Sequence, residues 1–247
     1  MSRALVIVAL AVFAGLAPKG AKAVPLLADT SKHLVAITTG FTGDEVLVFG
    51  TIDEPGDVVV VVRGPSIPIV MHRKSNIAGI WINTASMTFE QAPSFYAVAS
   101  SKPLDEIARP NVLARHELGV ENLKLEIPRA RASPNVAQDW RAGLIRNQQR
   151  RGLYPTMVNE IGFLGERLFR TRIEFPDNVP TGTYQAEVYL IVDGHVVSAQ
   201  KTPLIVSKVG AEAEVYDFAY QNSALYGVIA ILIALVAGWL AHIAFRK

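Results

Sequence analysis

Arginine is the one residue type in this chain whose numbers and spacing point to chemistry. Arg129 to Arg151 carries six arginines against one acid, Asp139. Four of them, Arg141, Arg146, Arg150 and Arg151, fall on one expected helix and form a candidate patch for an anion or a lipid headgroup. The competing reading is a solvated helix face, and the spacing favours it. On a helical wheel Arg146 and Arg150 share one side while Arg141 lies well away, so no single stripe forms. Other signatures are absent: the chain has no Gly-x-Ser-x-Gly elbow, no His-Glu-x-x-His and no phosphate-binding glycine loop. Ser198-x-x-Lys201 matches a serine–lysine pattern, but on the expected strand residues three apart point to opposite faces. Gly40-Phe41-Thr42-Gly43 reads as a turn between two strands.

The five histidines, His33, His72, His116, His195 and His242, include no pair at a ligand spacing of three to five residues. The absence of cysteine excludes a disulfide framework, a thiolate metal site, a thiol nucleophile and a lipobox anchor. The expectation is therefore a protein that is no enzyme and has no metal or cofactor. A net charge of +2 is too small to argue for nucleic acid.

A second pattern concerns association rather than catalysis. Ala230, Ala234 and Gly238 recur every fourth residue and place small side chains on one face of an apolar helix. Such faces let two membrane helices approach closely, where no hydrophobic effect separates helix from lipid. This is the expected helix-packing face. His242 is the next member of the row, and near the helix end it can snorkel to the interface.

That helix belongs to the strongest element in the chain. Residues 224–245 contain no Asp, Glu, Lys or Arg, and at 1.5 Å per residue they reach roughly 33 Å, enough to cross a hydrocarbon core of about 30 Å. Arg246 and Lys247 follow as a short cytoplasmic tail, because basic residues stay inside. At the other end, residues 1–23 read as a signal peptide. Arg3 supplies the basic start, 4–16 the apolar run, and Ala21-Lys22-Ala23 a small-x-small cleavage site that would leave Val24 first. The two ends together place the intervening chain in the bacterial periplasm, on an inner-membrane, single-pass anchor.

Between them the expectation is mainly β: an immunoglobulin-like β-sandwich ectodomain with a helical insertion. Residues 24–102 form a β-sandwich region, with strands at His33–Thr38, Glu45–Ile52, Val58–Val62, Ile67–Met71, Ile77–Asn83 and Phe95–Ser100, separated by turn residues. Residues 103–152 turn helical. Pro103 stands at a first helical position, Pro110 interrupts and Gly119 closes the first piece. A strand at Asn122–Ile127 separates it from a helix at 134–151, N-capped by Ser133, with Val136, Trp140 and Leu144 as its buried row. Residues 153–209 form a second β region. There Phe169, Thr171, Ile173 and Phe175 alternate with charged residues, Asp193-Gly194 joins a hairpin, and Leu204–Val206 is a last strand. A juxtamembrane helix fills 210–223.

Gly79-Ile80-Trp81-Ile82-Asn83, Pro93 to Ser101, the Trp140 to Tyr154 helix ending Arg151-Gly152-Leu153-Tyr154, Tyr216-Asp217-Phe218-Ala219 and Leu225-Tyr226-Gly227 together resemble an alphaproteobacterial family of single-pass transmembrane proteins. The family has no established activity, so the resemblance supplies no catalytic residues. It implies an association, since such genes often lie beside a permease resembling sulfite exporters of the TauE/SafE type. The function expected is a non-enzymatic, membrane-anchored periplasmic accessory protein. It would partner an inner-membrane permease or form a homodimer through the transmembrane helix. The alternative is a periplasmic solute- or envelope-binding module whose helix is only an anchor.

Overall fold

The computed structural model describes residues 25–127, 134–210 and 218–245. Its architecture is mainly β, with one apolar helix near the C-terminus. The strands are β1 (Leu26–Thr30), β2 (Leu34–Ile37), β3 (Asp44–Ile52), β4 (Asp57–Arg63), β5 (Ser66–Ile77), β6 (Ile80–Pro93), β7 (Tyr96–Ser100), β8 (Asn159–Glu160), β9 (Gly162–Leu164), β10 (Leu168–Phe175), β11 (Gly182–Val192) and β12 (His195–Lys208). The helices are α1 (Leu104–Ile107), α2 (Pro110–His116), α3 (Pro134–Arg150) and α4 (Ser223–Phe245), with a 3₁₀ turn at Val120–Asn122.

Two sheets carry the core. One runs β1-β3-β10-β9 and the other β2-β12-β11-β4-β7-β8. Both draw strands from either side of the helical insertion, since β3 pairs with β10 and β4 with β11. In the first sheet the alternation is regular: Phe169, Thr171, Ile173 and Phe175 are buried while their neighbours are exposed. This is the pattern of a strand with one wet face. Phe169 lies opposite Gly50, and a Cβ there would stand 2.6 Å from its ring and 2.3 Å from the Leu27 carbonyl. Only a bare Cα admits both.

The second sheet is covered on both faces, and its sequence says why. Val58 to Val62 is continuously β-branched and every one of these residues is buried. One face meets the first sheet, where Phe95, Phe175 and Tyr184 form a ring cluster with centroids 5.0–5.8 Å apart. The other lies under the α1–α2 segment, whose Ile107, Leu113, Leu118, Val120, Leu123 and Leu125 are buried. The Asp193-Gly194 hairpin forms as expected, both residues having positive φ (51° and 77°), as a tight two-residue turn requires.

Several local expectations are corrected. Residues 77–83 are not one strand: Ala78 and Gly79 turn at positive φ, and the segment is the tip of a long β5–β6 hairpin. Leu204–Val206 belongs to the fourteen-residue β12, because pairing with β11 continues to Val206. Asn122–Ile127 finds no ladder; it begins in the 3₁₀ turn and continues as unpaired chain. Pro103 precedes the first helix as its cap rather than opening it. Pro110 starts α2, and Glu117, not Gly119, closes that helix in the left-handed conformation (φ 55°). On α3, Trp140 and Leu144 are buried but Val136 is 38% exposed; the row continues to Gln148 instead. The Ser133 cap and half of the expected juxtamembrane helix, 211–217, lie outside the described residues. Residues 218–221 are helical and run toward α4.

Candidate functional site

The arginine-bearing helix is fixed at its C-terminal end by its own backbone. Gly152 has φ 70°, its N–H bonds the Gln149 carbonyl at 3.0 Å, and the Leu153 N–H bonds the Gln148 carbonyl at 3.0 Å. This is the paired closure of a Schellman motif, which needs a residue free to adopt positive φ. Leu153, just past the turn, is buried. With Trp140, Leu144 and Gln148 turned inward, the next positions round the helix are left to face the hairpin.

Between α3 and β5 lies an open groove of about 460 Å³, lined by Val70, His72, Arg73, Trp140, Arg146 and Arg150 among others. Asp139 is its one acid. The Arg73 guanidinium lies 5.0 Å over the Trp140 ring, a cation–π contact that ties hairpin to helix. Asn147 Nδ2 reaches Met71 Sδ at 3.8 Å. The candidate anion patch thus divides. Arg146 and Arg150 come together in the groove. Arg141 instead donates from Nε to the Leu125 carbonyl at 3.0 Å, and Arg151 donates to Gln148 Oε1 at 3.2 Å. His72 and Arg73, which the sequence did not group with the helix, complete the basic lining. They arrive from more than sixty positions away in the chain, brought there by the packing of β5 against α3.

A second cluster sits on the covered face of the larger sheet. Glu187 accepts from Arg63 Nη1 and from the Tyr189 hydroxyl at one oxygen, and from Lys201 Nζ at the other. Burial pulls its carboxyl pKa up, but hydrogen bonds from Lys201 and Tyr189 and the Arg63 charge outweigh this and hold it below the ordinary carboxylate value. Burial and the neighbouring carboxylate push the Tyr189 hydroxyl up to about 12. Arg63 Nη2 donates to the carbonyls of His116 (2.7 Å) and Glu117 (3.3 Å). The Tyr96 hydroxyl donates to Glu117 O at 2.8 Å and accepts from Gly119 N–H at 2.9 Å. These bonds pin the end of α2 to the sheet. Every oxygen of Glu187 is engaged, so the cluster reads as a structural tie. Lys201 serves here, on the face opposite Ser198, as strand alternation requires.

The span is α4. It is 23 residues long, with an 18-residue stretch of mean hydropathy 2.5, and none of its residues is buried. Ala230, Ala234 and Gly238 share one face, and a Cβ at Gly238 would meet nothing of its own chain within 4 Å.

A family described as "Putative transmembrane protein (Alph_Pro_TM)" matches residues 25–247. The chain belongs to that family. No curated protein matches it. Membership and α4 together make this a membrane-anchored protein with one candidate span among the described residues. Family membership brings no reaction with it, so what the chain does must be argued from the groove, the tie and the span. Among the described residues no three His, Asp or Glu side chains gather where a metal could be held.

Proposed function

We propose that the chain is a non-enzymatic accessory protein of a bacterial inner membrane. Its β-rich body stands in the periplasm after removal of a signal peptide, and α4 is the element that engages an integral membrane partner such as a permease. The observation that carries the reading is the solvent-bare state of α4: a helix of this hydropathy, with no residue buried by its own chain, has its whole surface available to lipid and to other helices. The row Ala230, Ala234, Gly238 gives that surface one face suited to close helix packing. The full engagement of Glu187 supports a body that is built to hold shape rather than to transfer protons. Orientation rests on Arg246 and Lys247 flanking the span.

The body is read as immunoglobulin-like. The order β1-β3-β10-β9 facing β12-β11-β4 is the pairing order of the two sheets of that fold, ABED against CFG, with the early strand β2 added parallel beside the last. Such a sandwich is a frame for presenting loops and hairpins to partners.

The test is purification of the intact, affinity-tagged protein from native membranes in mild detergent. The reading expects an integral membrane protein to be recovered with it in reproducible ratio. A second reading, a solute-binding module on a passive anchor, draws on the Arg73, Arg146 and Arg150 groove. It expects full-length protein to bind inorganic sulfate or phosphate, and an Arg146→Gln, Arg150→Gln variant to lose that binding.

A further inference from the structure

Four exposed apolar side chains of the β-rich body are gathered at the tip of the β5–β6 hairpin. Ile77, Ile80, Trp81 and Ile82 are 53, 66, 66 and 44% exposed, and they are consecutive around the Ala78-Gly79 turn. The register puts Ile77 opposite Ile80, and Trp81 opposite Asn76. Directly paired residues share a face and alternate residues change it, so Ile77, Ile80 and Ile82 crown one face and Trp81 the other. The tip is therefore apolar all round, an end-on plug rather than an amphipathic sheet face. Residues 72–86 are almost wholly exposed, whereas burial resumes at Met87 and Phe89. Beyond Arg73, which rests on Trp140, the arms thus stand clear of the body.

Behind the plug the polarity changes in order. Asn76, Ser75, Asn83 and Thr84 form a polar collar, with Ser75 Oγ and Thr84 Oγ1 2.8 Å apart. His72, Arg73 and Lys74 follow, and no acid occurs between Ser66 and Phe89. The turn satisfies itself: Asn76 Oδ1 accepts the Gly79 N–H at 2.8 Å. Apolar tip, polar neck and basic shoulder is the sequence of environments met on entering a lipid surface from water. Aromatic and aliphatic groups favour the interface, and basic groups favour anionic headgroups.

We propose that the β5–β6 tip inserts into the interfacial layer of the membrane that α4 crosses, with Lys74 at anionic headgroups. The anchor supplies the encounter. Fourteen residues separate Lys208 from Ser223, and even fully extended they span no more than roughly 50 Å, so the body is held at high effective concentration beside the bilayer. Depth is bounded by the backbone. The two outer edges of an isolated hairpin carry unpaired N–H and C=O groups, which cannot enter hydrocarbon. Two to three residues at about 3.4 Å each give roughly 7–10 Å, the depth reached by interfacial elements. The chain would then meet its membrane at two places, with α3 braced between them through Arg73 and Trp140.

The protein lacks cysteine, so one introduced thiol can carry an environment-sensitive fluorophore. Full-length Ile80→Cys is labelled and reconstituted in phosphatidylethanolamine–phosphatidylglycerol vesicles. Glu54→Cys, on an exposed loop, serves as control. The proposal expects blue-shifted emission at position 80 and quenching by spin-labelled lipid, with position 54 quenched only by aqueous iodide. Adding Lys74→Gln should lower the inserted-to-exposed ratio about fivefold, the weight of one basic residue at an anionic surface. Equal iodide access at 80 and 54 would overturn it. So would a blue shift that appears only in native membranes without lipid-borne quenching, because a protein partner would then cover the tip. The span keeps all variants in the vesicle, so failure of the tip leaves anchoring separately readable.

Discussion

The side-chain amide of Gln200 on β12 grips both polar backbone atoms of Ala28 on β1. It accepts the Ala28 N–H at 2.8 Å and donates to the Ala28 carbonyl at 2.6 Å. The two strands belong to different sheets, so one side chain imitates a strand partner and joins the two sheets. Gln200→Ala leaves both groups of the buried Ala28 without partners. The expected loss is about 1–3 kcal/mol, read by urea denaturation of full-length protein in detergent. Gln200→Glu should not rescue it, because a carboxylate cannot donate to the carbonyl.

Arg63 and Glu187 make a second, more expensive tie. Glu187→Gln leaves the guanidinium largely buried beside a neutral group, with an expected cost of about 3–5 kcal/mol. Adding Arg63→Met removes the stranded charge and should recover part of that loss. Denaturation midpoints of the single and double variants decide it; a double variant as unstable as the sum of its parts would count against charge pairing as the cause.

The same pair sets an acid limit. Since Glu187 titrates below its ordinary value of 4.5 when folded, its stabilisation is complete above that pH and is lost as pH falls through the lower folded value. His116 adds an earlier decline. Burial and Arg115 lower its pKa from 6.5, so the unfolded chain takes up that proton first. Unfolding free energy should therefore decrease on acidification below about 6.5 and more steeply below 4.5. Glu187→Gln should flatten the lower segment in a pH series of denaturant melts.

On α3, Trp140→Ala removes a buried ring and the seat of Arg73, at an expected cost of about 3–5 kcal/mol. Val136→Ala should cost about 1 kcal/mol or less, since that residue is 38% exposed. Thermal melts of the two variants give the comparison.

What could be read from the sequence was whatever local pattern decides. Phe169 to Phe175 alternates because one face is wet, Asp193-Gly194 turns because both residues tolerate positive φ, and α4 is apolar throughout. Partnerships were not legible. Val136, Trp140 and Leu144 look equivalent in sequence, yet Trp140 and Leu144 are buried while Val136 is partly exposed. Residues 77–83 read as a strand because their apolar run hides a turn whose first residue is alanine. The basic groove was half visible: Arg146 and Arg150 share a helix face, but Arg73 joins them only where the hairpin packs against Trp140 of α3. Glu187 sits in a strand buried on both faces from Ala186 to Ile191, and nothing local announces that Arg63, Tyr189 and Lys201 converge on it.

The central claim is that α4 binds a membrane partner through its small-residue face. A passive tether needs only apolar length, whereas close packing is lost when a larger side chain separates two backbones. The measurement is recovery of the co-purifying membrane protein from native membranes, comparing Ala234→Leu with Gly238→Leu against the control pair Ile229→Leu with Ile233→Leu. Both pairs keep the span apolar, so both proteins should insert and fold. The account predicts that the partner is lost from the Ala234/Gly238 variant and retained by the control. Equal recovery from the two would contradict it and reduce α4 to an anchor.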